Sequence, residues 1–409
     1  MYPQHHWMRI KNIVLRKSVL YTIMVICGLV SGFSDSQLLH AIGLFVADLF
    51  IKIFKCISLP IIALSIIVTL SGYSFDGSMR SVWRRTMTYT LGTTVVAAAI
   101  SCLLYLIINP GLIGHVHEPN VKTLTNQVDY LQHISNLIPA TIFSPFLEHQ
   151  VISVLFLGII VGIAIRFIPE EDAKKTITQF FRGAHGLFMV ITHWVITVIP
   201  IGLFGFITTT VLQLRNGAEI KGIGEYLLII VFANLIQGFI ILPLWLKIKG
   251  RSPFVAMRGM LPALSLAFFS KSSVGTLPIT IETIEKNLHI HPQISRFVLP
   301  LCTSINMNGC AAFIFTTVIY LMQNHGINVS LASMGLWIIV ATVAAIGNAG
   351  VPMGCFFLSA SLLASMNVSI TLMGIILPFY SLIDMLETAL NVWSDACVTI
   401  VVNDKQSAS

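Results

Sequence analysis

One segment near the C-terminus places polar side chains inside an otherwise apolar stretch of helix length. At about 100° per residue, Asp384, Thr388, Asn391 and Asp395 fall within a narrow arc of a helix, and Glu387 lies beside it. Carboxylate and amide groups of this kind can hold an ammonium group or a hard cation. Because ionisable groups inside an apolar environment are costly, the stripe indicates function.

A second segment interrupts another apolar stretch with Asn306, Asn308 and Gly309. Asn and Gly favour leaving a helix, so the pattern predicts a local break. The two segments together predict a polar site that the surrounding helices must position.

The composition is that of a polytopic membrane protein. Of the 409 residues, 56% are hydrophobic and 10% charged, and the mean hydropathy is +0.86, which soluble domains do not reach. The first apolar run has no small-residue cleavage pattern, so we expect it to stay as the first helix. All seven Cys lie in apolar segments, which predicts buried thiols and no disulfide framework.

The net charge of +7 reflects topology and not a nucleic-acid partner. With a cytoplasmic N-terminus, eighteen of the 24 Lys and Arg residues fall in inside segments, whereas only Lys122, Arg215 and Lys221 fall outside. This positive-inside distribution predicts cytoplasmic N- and C-termini. The compact loops favour a bacterial inner (cytoplasmic) membrane.

Apolar stretches long enough to cross roughly 30 Å of hydrocarbon recur along the chain. The sequence predicts eight spans, near 18–34, 38–72, 86–109, 142–167, 177–212, 226–247, 296–323 and 368–402. Several exceed a perpendicular crossing, which predicts tilt or extension beyond the bilayer.

Two further segments do not fit as single spans. Between Arg251 and Arg296, both ends are basic and the middle, at 270–280, is rich in Ser, Gly and Pro, which predicts a re-entrant hairpin from the cytoplasm. The segment 328–369 has a similar interruption at 347–355 without basic flanks, which predicts a hairpin from outside. A pair of such interrupted segments points to a transporter binding site.

Four motifs follow one another between about Leu264 and Asn403. They are a Ser-rich tip with Gly-Thr-Leu-Pro, then Asn-Met-x-Gly, then Gly-x-Ala-Gly-Val-Pro, then Asp-Met-x-x-Thr-x-x-Asn-x-x-x-Asp. Their order resembles the dicarboxylate/amino acid:cation symporters, the glutamate transporter family. The first 250 residues resemble it only in span number and topology.

The resemblance implies an all-α membrane protein of the elevator type, with eight transmembrane helices, two re-entrant hairpins, inverted repeats and a homotrimeric assembly. Residues 1–250 would contain helices 1–6, of which 1, 2, 4 and 5 form the trimerisation scaffold and 3 and 6 accompany the transport domain. Residues 251–409 would form the transport core, with hairpin 1 at about 251–290, helix 7 at about 296–323, hairpin 2 at about 328–366 and helix 8 at about 368–402.

The resemblance also implies a small amino-acid substrate, Na⁺ or H⁺ as the co-transported ion, no organic cofactor and no enzymatic activity. Asp384 would accept hydrogen bonds from the substrate α-ammonium group, and Asn391 with a hairpin backbone would hold the α-carboxylate. From the residues alone, Asp384 could instead pair with Lys271 or be protonated, and the hairpin serines could be turn formers. The implied substrate-binding residues are Ser272, Ser273, Cys310, Val351, Cys355, Asp384, Glu387, Thr388 and Asn391.

Three cation positions follow from the resemblance: one with Asp395, Asn306 and Asn391, one at carbonyl groups of the second hairpin and the broken helix, and one at a hydroxyl pair on helix 3. Thr residues in helices often only bond back to the preceding turn. The implied cation-binding residues are Thr93, Thr94, Ser304, Asn306, Met307, Asn308, Ala345, Ile346, Asn348, Asn391 and Asp395.

Two residues depart from the family pattern. Asn308 replaces an Asp, which removes a countercharge and favours fewer sodium ions, or protons. Glu387 replaces the Arg that grips acidic substrates, and Cys310 replaces a neighbouring Thr. Since Glu387 would repel a carboxylate, we predict a neutral or cationic substrate side chain. Two alternatives stay open: Lys271 neutralises Glu387, or Glu387 carries the coupling proton and an acidic amino acid or dicarboxylate is accepted.

Other classes of protein are less consistent with these residues. An intramembrane enzyme needs a nucleophile-base pair or a metal constellation, and no Gly-x-Ser-x-Gly elbow or Cys/His pair occurs. A channel or transport-dead sensor on the same scaffold is a further alternative, but a channel has no use for a chelating stripe.

Overall fold

The computed structural model describes residues 22–71, 80–113, 141–147, 151–215, 221–346, 353–366 and 372–404, with the single residues 20, 139, 348 and 368. Helices account for most of these residues, and none of them lies in a β-strand. The all-α prediction is therefore confirmed.

Each predicted span overlaps one helix or a run of consecutive helical elements among the described residues. The elements are α1 (Thr22–Phe33), then α2 (Gln37–Ser71), α3 (Arg80–Ile108), α4 (Ser144–Leu147), α5 (Val151–Arg166), α6 (Glu171–Arg215), α7 (Lys221–Ile236), a π-helical segment (Gln237–Ile241), α8 (Leu242–Ile248), α9 (Pro253–Ser270), α10 (Ser273–Leu288), α11 (Pro292–Ile305), α12 (Asn308–Asn324), α13 (Leu331–Ile346), α14 (Gly354–Ser365) and α15 (Met373–Asp404).

Among the described residues, five helical stretches are long and apolar enough to cross a membrane. They are Arg80–Ile108, Gly222–Ile248, Pro253–Ser270, Pro292–Asn324 and Met373–Asn403. The two parts of α6 meet at 52° and make a sixth if they are one span. These helices define an integral membrane protein.

The α12 helix lies at the centre of the bundle. Every residue from Asn308 to Met322 is buried, and α12 packs against α3, α7, α13, α14 and α15. A second group is formed by α2, which packs along α6 and α5. At the contact between α2 and α6, a Cβ added at Gly205 would lie 2.8 Å from the Gly43 carbonyl oxygen, so only glycine permits this approach.

The predicted break between α11 and α12 is confirmed, but it is narrower than the motif suggested. Asn306 and Met307 leave helical geometry, with ψ near 66° at both residues. Asn308 and Gly309 already belong to the first turn of α12. The break therefore presents the Asn306 and Met307 backbone to the bundle interior.

The α9 and α10 helices form an antiparallel pair, as the first hairpin prediction requires. Asn287 near the end of α10 donates a side-chain hydrogen bond of 2.8 Å to the Gly259 carbonyl near the start of α9. The predicted extent of the tip, 270–280, is wrong, because only Lys271 and Ser272 lie outside the helices. The Ser272 hydroxyl accepts from the Gly275 N–H at 3.0 Å and so starts α10 immediately.

The second hairpin prediction covers α13 and α14, which both pack on α12. Of its predicted tip, Gly347 and residues 349–352 lie outside the described residues, and the predicted substrate contact Val351 is among them. Asn348 is described and buried.

Candidate functional site

A small buried pocket lies where α15 meets α12 and the tip of the first hairpin. Its volume is about 10 Å³, close to what one water molecule needs, so it must widen to admit anything larger. Six of the predicted substrate residues line it. The lining residues are Lys271, Ser273, Met307, Cys310, Asn348, Asp384, Glu387, Thr388 and Asn391.

Asp384 is 7% exposed and faces this pocket from α15. The Thr388 hydroxyl donates to the Asp384 backbone carbonyl at 2.7 Å, so it is engaged within the helix. The Lys271 ammonium donates to the Ser381 hydroxyl and is close enough to interact electrostatically with Asp384. One cation therefore accompanies the two carboxylates that line the pocket.

Glu387 is 1% exposed, and its environment is unusual for a buried carboxylate. The Tyr380 hydroxyl donates to Oε2 at 3.4 Å. The other oxygen, Oε1, has no hydrogen-bond partner among the described residues. An unpartnered buried polar atom carries a desolvation penalty, which a bound ligand would relieve.

Asn391 joins α15 to the start of α12. Its Oδ1 accepts a hydrogen bond from the Gly309 N–H at 2.9 Å, and its Nδ2 points at the sulfurs of Met307 and Cys310, at 3.5 and 3.6 Å. A Cβ at Gly309 would lie 2.7 Å from the Glu387 Cα, which explains the glycine. The start of α12 thus packs directly against Glu387 and Asn391, two of the four α15 residues that line the pocket.

A second polar cluster lies one turn further along α15. Asn306 donates to Asp395 Oδ1 at 2.9 Å, and the Thr303 hydroxyl donates to Oδ2 at 3.4 Å. The Thr93 hydroxyl donates to Asn306 Oδ1 at 3.0 Å. The structure therefore joins Asn306, at the helix break, to Asp395 of α15, two residues predicted for one cation position, and adds Thr93 of α3, which was predicted for another. Asn391, predicted for the first position, instead accepts from the Gly309 N–H.

Asn308 extends this cluster toward the π-helical segment. Its Nδ2 donates to Asn306 Oδ1 at 2.9 Å and to the Ser394 hydroxyl at 2.8 Å. Its Oδ1 accepts from Gln237 Nε2 at 2.8 Å, and the same Gln237 nitrogen donates to the Thr93 carbonyl at 3.1 Å. Sequence reasoning missed Gln237, Ser394 and Thr303; an amide within an apolar span was the only signal for Gln237.

Four other predicted cation residues make no hydrogen bond to this cluster among the described residues. The Thr94 hydroxyl bonds back to the Thr90 carbonyl at 2.8 Å, and Ser304 does the same to Pro300 at 3.5 Å. Ala345 is buried, and its carbonyl accepts from the Asn348 N–H at 3.1 Å. Ile346 ends α13.

Two cysteines correct the expectation of unpaired thiols. The Cα atoms of Cys310 and Cys355 are 5.4 Å apart and their sulfurs are in bonding contact. Cys102, Cys302 and Cys397 are free and buried as expected, whereas Cys27 and Cys56 are exposed. The contact between Cys310 and Cys355 could not be predicted from the sequence, because their spacing does not show how α13 and α14 pack against α12.

A helical membrane bundle with buried carboxylates and amides gathered around a broken helix defines a membrane transport protein. The profile of the Sodium:dicarboxylate symporter family matches residues 18–405, and the chain belongs to this family. Its members are transporters and not enzymes, so the chain is a symporter of this family for a small amino-acid substrate, embedded in a lipid bilayer.

Individual relatives are moderately similar over most of their length. A putative sodium-dependent excitatory amino acid transporter of Caenorhabditis elegans is 28% identical, covering 88% of this chain and 82% of the relative. The human neutral amino acid transporter B(0) is 23% identical, covering 92% and 78%. The proton/glutamate-aspartate symporter of Escherichia coli K12 is 25% identical, covering 87% and 83%.

Proposed function

We propose that the protein is a secondary active symporter that imports an amino acid with a neutral or cationic side chain, coupled to Na⁺. The observation that carries this proposal is Glu387, a buried carboxylate at the pocket with one oxygen that no described residue satisfies. A cationic or hydrogen-bond-donating side chain satisfies that oxygen, whereas a second carboxylate meets repulsion.

Asp384 and Asn391 provide recognition of the groups common to all α-amino acids. Asp384 accepts from the α-ammonium group, and Asn391 donates to the α-carboxylate through Nδ2, whose present contacts are only weakly accepting sulfurs. The Ser272-Ser273 segment opens α10, where free backbone N–H groups suit a carboxylate.

The relatives' names do not decide the side chain, since they include excitatory, glutamate-aspartate and neutral amino acid transporters. Glu387 supports a neutral or cationic side chain, because no Lys or Arg among the described residues pairs with its carboxylate, and Lys271 instead donates to Ser381. An acidic substrate requires Glu387 to be protonated, which makes it the alternative carrier of a coupling proton.

The coupling cation is assigned to the cluster of Thr93, Asn306 and Asp395. These residues supply a hydroxyl, an amide oxygen and a carboxylate, all oxygen ligands that suit Na⁺. Sodium-dependent relatives support this ion, and the proton-coupled bacterial relative makes H⁺ the alternative. The Ser304, Met307 and Ala345 carbonyls are candidates for a further cation.

The architecture proposed for transport is eight transmembrane helices with two hairpins in an elevator-type homotrimer. Residues 1–250 would hold the trimerisation scaffold, and residues 251–409 the mobile core. The antiparallel α9–α10 pair and the break between α11 and α12 support this division, since both lie beside the pocket. We place the protein in the bacterial inner membrane with both termini in the cytoplasm.

Uptake into proteoliposomes tests the proposal. Sodium and pH gradients are imposed separately, and labelled amino acids of each charge class are compared. We expect concentrative, sodium-driven uptake of a neutral or cationic amino acid, competed by unlabelled Lys, Arg, Ser or Ala. Stronger competition by Asp or Glu contradicts the substrate class, a pH-driven signal alone contradicts Na⁺ coupling, and flux without accumulation indicates a channel.

A further inference from the structure

The sulfur of Cys310, a residue that lines the pocket, meets the sulfur of Cys355. Cys310 lies in the first turn of α12, and Cys355 in the first turn of α14. Both side chains are almost completely buried. The two sulfurs and a carboxylate oxygen of Glu387 all lie within 4.8 Å of one another, so three helices converge on one point through these side chains.

Two features of this cluster point to a ligand. Glu387 Oε1 has no hydrogen-bond partner among the described residues, although it is buried. The Asn348 amide donates to both sulfurs, at 2.9 Å to Cys310 and 3.3 Å to Cys355, and Asn391 Nδ2 lies 3.6 Å from Cys310 Sγ. Amide N–H groups directed at sulfur stabilise thiolates, as outer hydrogen bonds do around metal-bound cysteines.

We propose that Cys310, Cys355 and Glu387 form a binding site for a thiophilic divalent cation of the zinc class once a dithiol reductant has opened the Cys310–Cys355 bond to two thiols, itself becoming a disulfide. Two thiolates and one carboxylate oxygen are a normal ligand set for such a cation, with a fourth position open to the pocket. The two thiol protons pass to solvent as the metal–sulfur bonds form. Bond lengths of about 2.3 Å to each sulfur require the two side chains to rotate apart from their present contact.

This site is distinct from the sodium cluster, which offers oxygen ligands only. Soft thiolates select zinc-like ions over Na⁺, Mg²⁺ and Ca²⁺. The bound cation would link α12, α14 and α15 and would coordinate the Glu387 carboxylate. We therefore expect it to stop transport while it is bound. Binding itself does not depend on which amino acid the protein carries.

The test uses the full-length protein in detergent, kept reduced with a phosphine and titrated with Cd²⁺. Cadmium gives an ultraviolet thiolate-to-metal charge-transfer band, and the reference protein carries Cys27→Ser and Cys56→Ser to remove the exposed thiols. We expect a saturable band that excess Zn²⁺ reverses, with about two protons released per cation in weak buffer. In that background Cys310→Ser and Cys355→Ser should each weaken binding by at least roughly tenfold, and Glu387→Gln likewise.

The matched control is Cys102→Ser, a buried cysteine on α3 away from the cluster, which should keep the band. If the reduced reference protein gives no charge-transfer band, the proposal is overturned, whatever the variants show. A band that persists unchanged in Cys310→Ser and Cys355→Ser also overturns it, as does undiminished affinity in folded Glu387→Gln, which retains both thiols. A Cys310–Cys355 disulfide that resists the reductant overturns it in favour of a permanent crosslink.

Discussion

Gln237 Nε2 donates a hydrogen bond of 2.8 Å to Asn308 Oδ1, and the same nitrogen donates to the Thr93 carbonyl at 3.1 Å. An amide N–H₂ group thus lies between two oxygen atoms of the polar cluster. A small cation bound at this position would be coordinated by the same two oxygens. The neutral amide of Gln237 therefore occupies the position that a bound cation would take. An amide in place of a cation is consistent with a neutral Asn at position 308, since a buried carboxylate there would need a cation to balance its charge.

The first prediction concerns this exchange. Asn308→Asp combined with Gln237→Ala restores a carboxylate and removes the amide, so we expect about one additional sodium ion per substrate. The measurement is paired flux of radioactive sodium and labelled amino acid in proteoliposomes. Gln237→Ala alone is the control, because it frees the oxygens without adding charge. An unchanged sodium-to-substrate ratio in the double variant contradicts the role given to Gln237.

Glu387→Arg tests the substrate class directly. An Arg fork pairs with a distal carboxylate, an interaction of about 1.5 to 3 kcal/mol, so selectivity should shift toward Asp and Glu by roughly tenfold or more. Competition against labelled substrate gives the ratio. Glu387→Gln removes the charge without reversing it, and we expect it to lower preference for cationic substrates only. Selectivity that is the same in all three proteins would place Glu387 away from the substrate side chain.

Asp384→Asn should weaken uptake of every amino acid alike, because the lost charge-assisted hydrogen bond involves the α-ammonium group that all of them share. Loss of about 1.5 to 3 kcal/mol corresponds to at least a tenfold rise in the substrate concentration for half-maximal uptake. Asp48→Asn is the matched control, since Asp48 is more than half exposed and pairs with Lys52 on α2. If Asp384→Asn changes the preference among amino acids instead, Asp384 contacts a side chain.

Helical periodicity was enough to predict part of the site. Asp384, Asn391 and Asp395 share one arc of α15 whatever the rest of the fold, and the interrupted motif located Asn306 at the break. Gln237 and Ser394 could not be found in this way, because the partners of each come from distant parts of the chain. Pairing of Cys310 with Cys355 likewise depends on tertiary packing.

Local composition predicted the ends of helices less well than periodicity predicted which residues share a helix face. The Ser, Gly and Pro residues of 270–280 suggested a long irregular tip, yet the Ser272 cap starts α10 at Ser273 and the helix continues through Pro278. A sequence cannot distinguish a serine that caps a helix from one that prolongs a turn unless the hydrogen-bond partner is known. The residues of the candidate site were therefore easier to predict than the ends of the neighbouring helices.

Gly309→Ala tests how closely α12 must approach α15. The added Cβ would lie 2.7 Å from the Glu387 Cα and 2.9 Å from Asn234 Oδ1, and one of these contacts is backbone that cannot rotate away. We expect a loss of about 1 to 3 kcal/mol in stability, measured as a lower unfolding temperature in detergent, together with impaired uptake because the pocket residues of α15 are displaced. Gly335→Ala is the matched control: it lies in α13 with no atom within 4 Å of its Cβ, and an exposed helical Gly→Ala change should stabilise by up to about 1 kcal/mol. If both variants unfold at the temperature of the unmodified protein, the two helices tolerate separation and Gly309 has no packing role.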